Sequence, residues 1–334
     1  MPAHLLQLEF PFALLSVSES CYINSVYSFI RFLGGILMKQ ILLDNAYEAW
    51  KSAISYHDRI KNGYSSLEYQ KGFVSSLHNA VELFLKQIML NNNDHDVAWI
   101  GKVKSKKDAQ LQLDYYNAAD LNEYFSHLSS DNLSKFFSIE YSKLIDKVYK
   151  LINVEEKDKK EFKNVLNRLK DLRNNETHFY INECSYLLED DFCKLHNFMI
   201  VFYNAIVPKI FNENTIIDFS DPQKYNLISQ YKIMEISFAP LTSFSYVDAL
   251  KSNKVVQKIK TFLSGEHSDE YAQYGINDHF VLAVKIMKTE GIEASNVGDY
   301  ITLLGLMIKY KLFWVNKYEE SIELDNGEIA TNME

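Results

Sequence analysis

The chain has 334 residues, enough for one large domain or two ordinary ones, and its 47% hydrophobic content excludes a disordered protein. A net charge of −9 argues against a protein that coats nucleic acid, but not against an enzyme that needs cations only at its cleft. Cys21, Cys184 and Cys193 show no CxxC spacing, so they suggest neither a structural zinc site nor a redox motif, and they fit a reducing cytosol.

With only 11 glycines and 5 prolines, the chain has few helix breakers and is expected to be mainly α-helical. Residues 5–37 are apolar, but Glu9, Glu19 and Arg31 interrupt them, so no uninterrupted membrane span of ~20 residues survives. The stretch lacks the basic start and small-residue cleavage site of a secretory signal. A cytoplasmic protein without a membrane partner is expected. Gly34-Gly35-Ile36-Leu37 precedes Met38. Two glycine codons can encode a bacterial ribosome-binding sequence and the next two supply a spacer, so Met38 is expected to be the natural start and residues 1–37 an extension.

From Asp44 the pattern is helical through Tyr47, Trp50, Ala53, Ile54 and His57 to about Asn62, with Asp44 as the expected cap and Gly63 as the stop. Ser65 or Ser66 opens a second helix, with Glu68 placed for a capping arrangement. Its stripe is Phe73, Leu77, Ala80, Val81, Phe84, Leu85 and Ile88, and Asn91-Asn92-Asn93 ends it. Residues 94–118 are polar and read as a long loop. Asp120 is expected to cap a short helix, and a longer one is predicted over residues 131–152. A further helix starts near Glu156, with Phe162, Val165, Leu166, Leu169 and Leu172 as its stripe, and another covers about residues 187–211.

Residues 212–253 read as a linker, with strand-like alternation at 215–219 and 232–238. Helices are then predicted at 254–263, 276–288 and 296–310, followed by a hairpin of 312–315 and 321–324, the outline of a winged helix. Lys309 is nearly alone as a cation on the third of these helices, so this part is expected to bind a protein or sense a signal rather than bind DNA. The expected organisation is a helical domain at 38–211, the linker, and a smaller helical domain at 254–334.

The chemistry is concentrated in Arg173-Asn174-Asn175-Glu176-Thr177-His178. RNA carries its own nucleophile, the 2′-hydroxyl, which a cleaving site must align with the scissile phosphate. Histidine titrates near neutral pH and can serve as acid or base. Arginine binds two phosphate oxygens and keeps its charge as the transition state gains negative charge. Positions five apart on a continuous helix point about 140° away from each other. Two arrangements would let both tips reach one phosphodiester: the helix ends between Arg173 and His178, or two copies each lend half the site. In the plain structural alternative Arg173 serves the helix C-terminus electrostatically and His178 is an ordinary surface residue.

Arg173, Asn174 and His178 match the Arg–polar–spacer–His pattern of the HEPN superfamily, and about residues 40–211 resemble its all-helical domain. Leu77-His78-Asn79-Ala80-Val81-Glu82-Leu83-Phe84-Leu85-Lys86 is similar to an early helix that the family often packs against the motif helix. The resemblance implies a dimeric helical bundle and metal-independent RNA cleavage leaving a 2′,3′-cyclic phosphate. Arg173 would clamp the phosphate, Asn174 orient it and His178 move the proton. It also implies phage-defence or toxin biology, with a possible antitoxin or regulatory partner; some HEPN domains are inactive and only bind.

Glu82 can support Arg173, or simply pair with Lys86 at i,i+4. His78 reads as a core-edge histidine. His57, His95, His127 and His196 are too dispersed in sequence to suggest a metal cluster. The lysine runs 102–107 and 157–163 read as solvated surface. No phosphate loop, dinucleotide fingerprint or hydrolase elbow is present, and no cofactor is expected. Mass spectrometry of the native N-terminus should find Met38 first; a peptide from residues 1–37 would overturn that expectation.

Overall fold

A computed structural model describes residues 42–148, 156–178, 186–210, 239–264, 279–289, 297–316, 321–324 and 329–331. Helix α1 (Leu43–Lys61) and helix α2 (Leu67–Asn91) form a hairpin. Ser66 caps α2, its hydroxyl accepting from the Tyr69 amide. Asp44 does not cap α1: the helix begins one residue earlier, and the Leu42 amide instead donates to Gln87 Oε1 at 2.8 Å. Every residue of the expected α2 stripe is buried.

The polar stretch after α2 is more ordered than its composition suggested. A 3₁₀ turn (His95–Val97) leads into β1 (Ala98–Ile100), and part of the expected loop is a helix, α3 (Lys106–Asn117). Ser105 caps α3, and only Leu111 and Tyr115 anchor its apolar side, which explains the weak periodic signal. The helix expected over 131–152 is interrupted. After α4 (Leu121–Ser126), capped by Asp120 as expected, come a single turn α5 (Ser130–Leu133), strand β2 (Phe136–Ser138) and α6 (Tyr141–Val148). The aromatic run Phe136-Phe137 favours extended backbone once a partner strand is available. That partner is β1, antiparallel, with Trp99 opposite Phe137.

Helices α7 (Glu156–His178) and α8 (Glu189–Ile210) complete the first core. Trp50 packs between Phe84 of α2 and Phe202 of α8, with ring centroids 6.1 and 5.8 Å away, and Phe162 of α7 lies 5.0 Å from Phe198. The strand-like segments 215–219 and 232–238 lie outside the described residues. The described end of the expected linker contains a helix, α9 (Tyr246–Ser252). Helices α10 (Lys254–Ser264), α11 (His279–Thr289) and α12 (Val297–Lys309) follow, close to the predicted bounds. An antiparallel sheet of β3 (Phe313–Asn316), β4 (Ser321–Leu324) and β5 (Ile329–Thr331) extends the expected hairpin by one strand. The fold is therefore mainly α, and among the described residues no helix is long and apolar enough to cross a membrane.

A second apolar core gathers Leu250, Ile259, Leu303 and Met307 with their neighbours, and Tyr69 and Tyr310 pack against both cores. The α1–α2 turn forms the seam between them. Gly63 has φ +94°, and a Cβ there would lie 2.8 Å from the Leu250 Cα. Asn253 donates to the Asn62 carbonyl while its Oδ1 accepts from Val255 and Val256, capping α10. Arg59 adds a two-pronged ion pair to Asp299 of α12, both bonds at 2.9 Å. Gly63→Ala should cost at least about 1–2 kcal/mol from the backbone conformation alone. The measurement is the urea midpoint, with faster amide exchange expected in α9; an unchanged midpoint would show that the seam can yield.

Candidate functional site

Helix α7 is held rigidly up to the residue before Arg173. Its expected stripe, Phe162, Val165, Leu166, Leu169 and Leu172, is entirely buried. Arg168 grips Asp191 of α8 through two bonds of 2.9 and 2.6 Å. The buried Tyr186 hydroxyl donates to the Leu172 carbonyl at 2.6 Å. Just beyond, the Leu187 amide donates to Gln70 Oε1 of α2, and the Leu187 carbonyl accepts from Tyr246 of α9. Arg173 is exposed and Asn174 half-buried on the turn that follows.

The helix does not end between Arg173 and His178; it runs unbroken from Glu156 to His178. Asn174 and Asn175 are accommodated within the last turns despite their low helix propensity. Backbone positions 173 and 178 therefore face about 140° apart. The side chain of His178 lies outside the described residues.

On the bundle side Arg173 acts electrostatically on His78 of α2. His78 is 7% exposed and stacks on Tyr141 of α6, with ring centroids 4.2 Å apart. Burial pushes the His78 imidazole down to about 4; Glu82 opposes this, while Arg173 and Lys86 add to it. Glu82 is a hub on α2. Its carboxylate pairs with Lys86 at 2.5 Å and lies 3.7 Å from His78 Nδ1. Lys86 also donates to Ser138 Oγ of β2 at 2.8 Å. The Tyr141 hydroxyl is buried with no hydrogen-bond partner among the described residues, and burial together with Glu82 keeps it protonated. The i,i+4 pairing of Glu82 with Lys86 is thus formed, inside a wider cluster of His78, Lys86, Tyr141 and Ser138. Nothing local in the sequence marks Tyr141 or Ser138, since each reaches α2 only through the break after β2.

A second polar group joins residues that looked scattered along the chain. His57 Nε2 and His196 Nδ1 are 2.9 Å apart, and both residues are fully buried. His196 Nε2 must donate to the Ala239 carbonyl, 3.1 Å away, so its Nδ1 accepts from His57 Nε2–H. His57 Nδ1 faces Asp58 Oδ1 at 3.4 Å, and Phe192 stacks on the His57 ring. The separation of 139 residues hides this pair from any spacing rule. Among the described residues no group of three or more histidines, cysteines and carboxylates could hold a metal ion.

No family model, curated protein or solved structure matches this chain.

Burial lowers both buried histidines, His196 to about 4. Below about pH 6.5 the unfolded chain takes up protons that these folded sites refuse, His196 down to about pH 4. Their stabilisation is therefore complete above about pH 6.5 and is lost as pH falls through the folded values. Comparing urea midpoints at pH 7 and pH 4.5 should show a smaller drop for the double variant His57→Leu, His196→Leu than for the wild type. An identical drop would assign the acid sensitivity elsewhere.

Proposed function

We propose that the protein is a metal-independent endoribonuclease of the HEPN type, acting as a homodimer in phage defence or toxin–antitoxin biology. The supporting observation is the exposed Arg173 on a helix whose preceding turns are locked by Leu172, Tyr186 and the Arg168–Asp191 pair. A clamp on a building phosphate charge is effective when its position is set before the reaction.

In this reading the RNA 2′-hydroxyl loses its proton to a base as its oxygen attacks phosphorus. The P–O5′ bond breaks, and the leaving oxygen takes a proton from an acid. The products are a 2′,3′-cyclic phosphate and a 5′-hydroxyl. Arg173 binds the non-bridging oxygens, Asn174 orients the phosphate and His178 carries the proton. Because positions 173 and 178 face different ways on one unbroken helix, the site is shared: Arg173 of one copy works with the partner's His178. Glu82 supports the same face of α2 through its ties to Lys86 and His78. Helices α10–α12 and the β3–β5 sheet serve as a winged-helix-like regulatory domain that receives a protein or a signal.

The unbroken helix also favours a second reading, in which the same surface binds RNA or a protein without cleaving. An RNA cleavage assay containing EDTA separates the two. Cleavage should persist with chelator and fall at least ~100-fold in Arg173→Ala and in His178→Ala. Mixing the two variants should restore partial activity, since a mixed dimer regains one complete site. Intact RNA in the presence of a folded wild-type dimer would instead establish the binding module.

A further inference from the structure

Strands β1 and β2 form a two-stranded ribbon whose two faces differ. Ala98 and Ile100 are buried, and Phe136 turns inward among Tyr115, Tyr124 and Phe125, with centroids 5.2, 6.3 and 5.1 Å away. Strand alternation sends the cross-strand partners Trp99 and Phe137 outward. Trp99 is 36% exposed and Phe137 57%. Their rings lie nearly parallel, 23° between planes and 6.3 Å between centroids.

The pair is held by its surroundings. A Cβ on Gly101 would come 2.7 Å from Phe137 Cε2, so the missing side chain makes room for the ring. The loop that follows is shaped by Asp108, which accepts from the Lys104 amide at 3.1 Å and from Lys135 Nζ at 2.8 Å. Lys102 and Lys104 are exposed along it and Lys106 and Lys107 on the first turn of α3, with no ion pair among the described residues. Residues 98–108 and 135–138 carry five lysines and one carboxylate, in a protein of net charge −9. Two exposed parallel rings beside a run of unpaired cations match the chemistry of unstacked bases and their phosphates. An apolar protein partner would explain the rings but not this local reversal of charge.

The ribbon also adjoins the candidate site. Ser138, next in sequence to Phe137 but on the other face of β2, accepts from Lys86, and Lys86 pairs with Glu82 next to His78, which feels Arg173. We propose that Trp99 and Phe137, with Lys102 and Lys104, form a stacking platform that binds single-stranded RNA beside the cleavage site. The choice of RNA rests on the reading proposed above; the platform's geometry does not.

The test is fluorescence anisotropy with a labelled single-stranded 2′-O-methyl RNA, which cannot be cleaved because its nucleophile is blocked. The full-length wild type should bind it. The double variant Trp99→Ala, Phe137→Ala should bind at least tenfold more weakly, and Trp99→Phe should retain most of the affinity. In Lys102→Gln, Lys104→Gln the slope of log affinity against log salt should shrink by about 0.7 for each lysine. Circular dichroism checks that these surface variants fold. Equal affinity for a duplex of the same sequence, or unchanged affinity in the aromatic double variant, overturns the platform. So does a loss of dimer in that variant without loss of RNA binding, which would make the surface a protein interface. Cleavage is scored separately, so a failed platform with intact cleavage is distinguishable from a binding platform on a protein that does not cleave.

Discussion

Helix α2 is enclosed by α1, α6, α7 and α8, and each polar side chain it buries is answered by a different neighbour. Gln70 donates to Ser65 and accepts from Leu187. His78 stacks on Tyr141 of α6. Lys86 reaches β2 through Ser138. Gln87 accepts from Leu42 at the start of α1 and donates to Asn122 of α4. A buried polar group left unpaired costs more than its bond contributes when made. These side chains therefore determine where the surrounding elements can sit, beyond what apolar packing alone demands.

This constraint carries through to the chemistry. Gln70 and Tyr186 hold the chain that follows α7, and Tyr186 bonds the carbonyl just before Arg173. The arginine is therefore displayed from a fixed helix, while His78, Glu82 and Tyr141 crowd behind it in a low-exposure cluster. A neutral imidazole, a carboxylate bound to a lysine and a buried phenol form a polar wall whose charges are largely balanced internally. Lys102, Lys104, Lys106 and Lys107 lie outside that wall, with their charge available to solvent. The protein thus combines an acidic total with a local cationic surface.

The seam between the two cores works differently. It depends on backbone closeness at Gly63, on the three bonds of the buried Asn253 and on the Arg59–Asp299 fork. Arg59 is 44% exposed at its side chain, so solvent weakens that ion pair, and most of the seam's specificity comes from Gly63 and Asn253. Tyr246 belongs to the first core and Leu250, one turn later, to the second. A segment that reads as a linker therefore contributes to both.

The long helices were legible in the residues, because a 3.6-residue apolar stripe survives in any surroundings that bury it: α2 and α7 bury the stripes expected of them, and α2 and α8 have nearly the expected ends. So was the cap at Asp120, where a side-chain oxygen meets an amide three residues on; for α2 the residues offered Ser65 or Ser66, and Ser66 takes the role. The β1–β2 ribbon depends on packing across the fold, since three-residue strands have no stable conformation without a partner. The same holds for α3, anchored by only two apolar side chains, and for the continuation of α7 through Asn174 and Asn175. The His57–His196 bond and the stacking of His78 on Tyr141 also arise at that level. Residues far apart in the chain touch because packed helices bring them together, and no local spacing encodes such a contact.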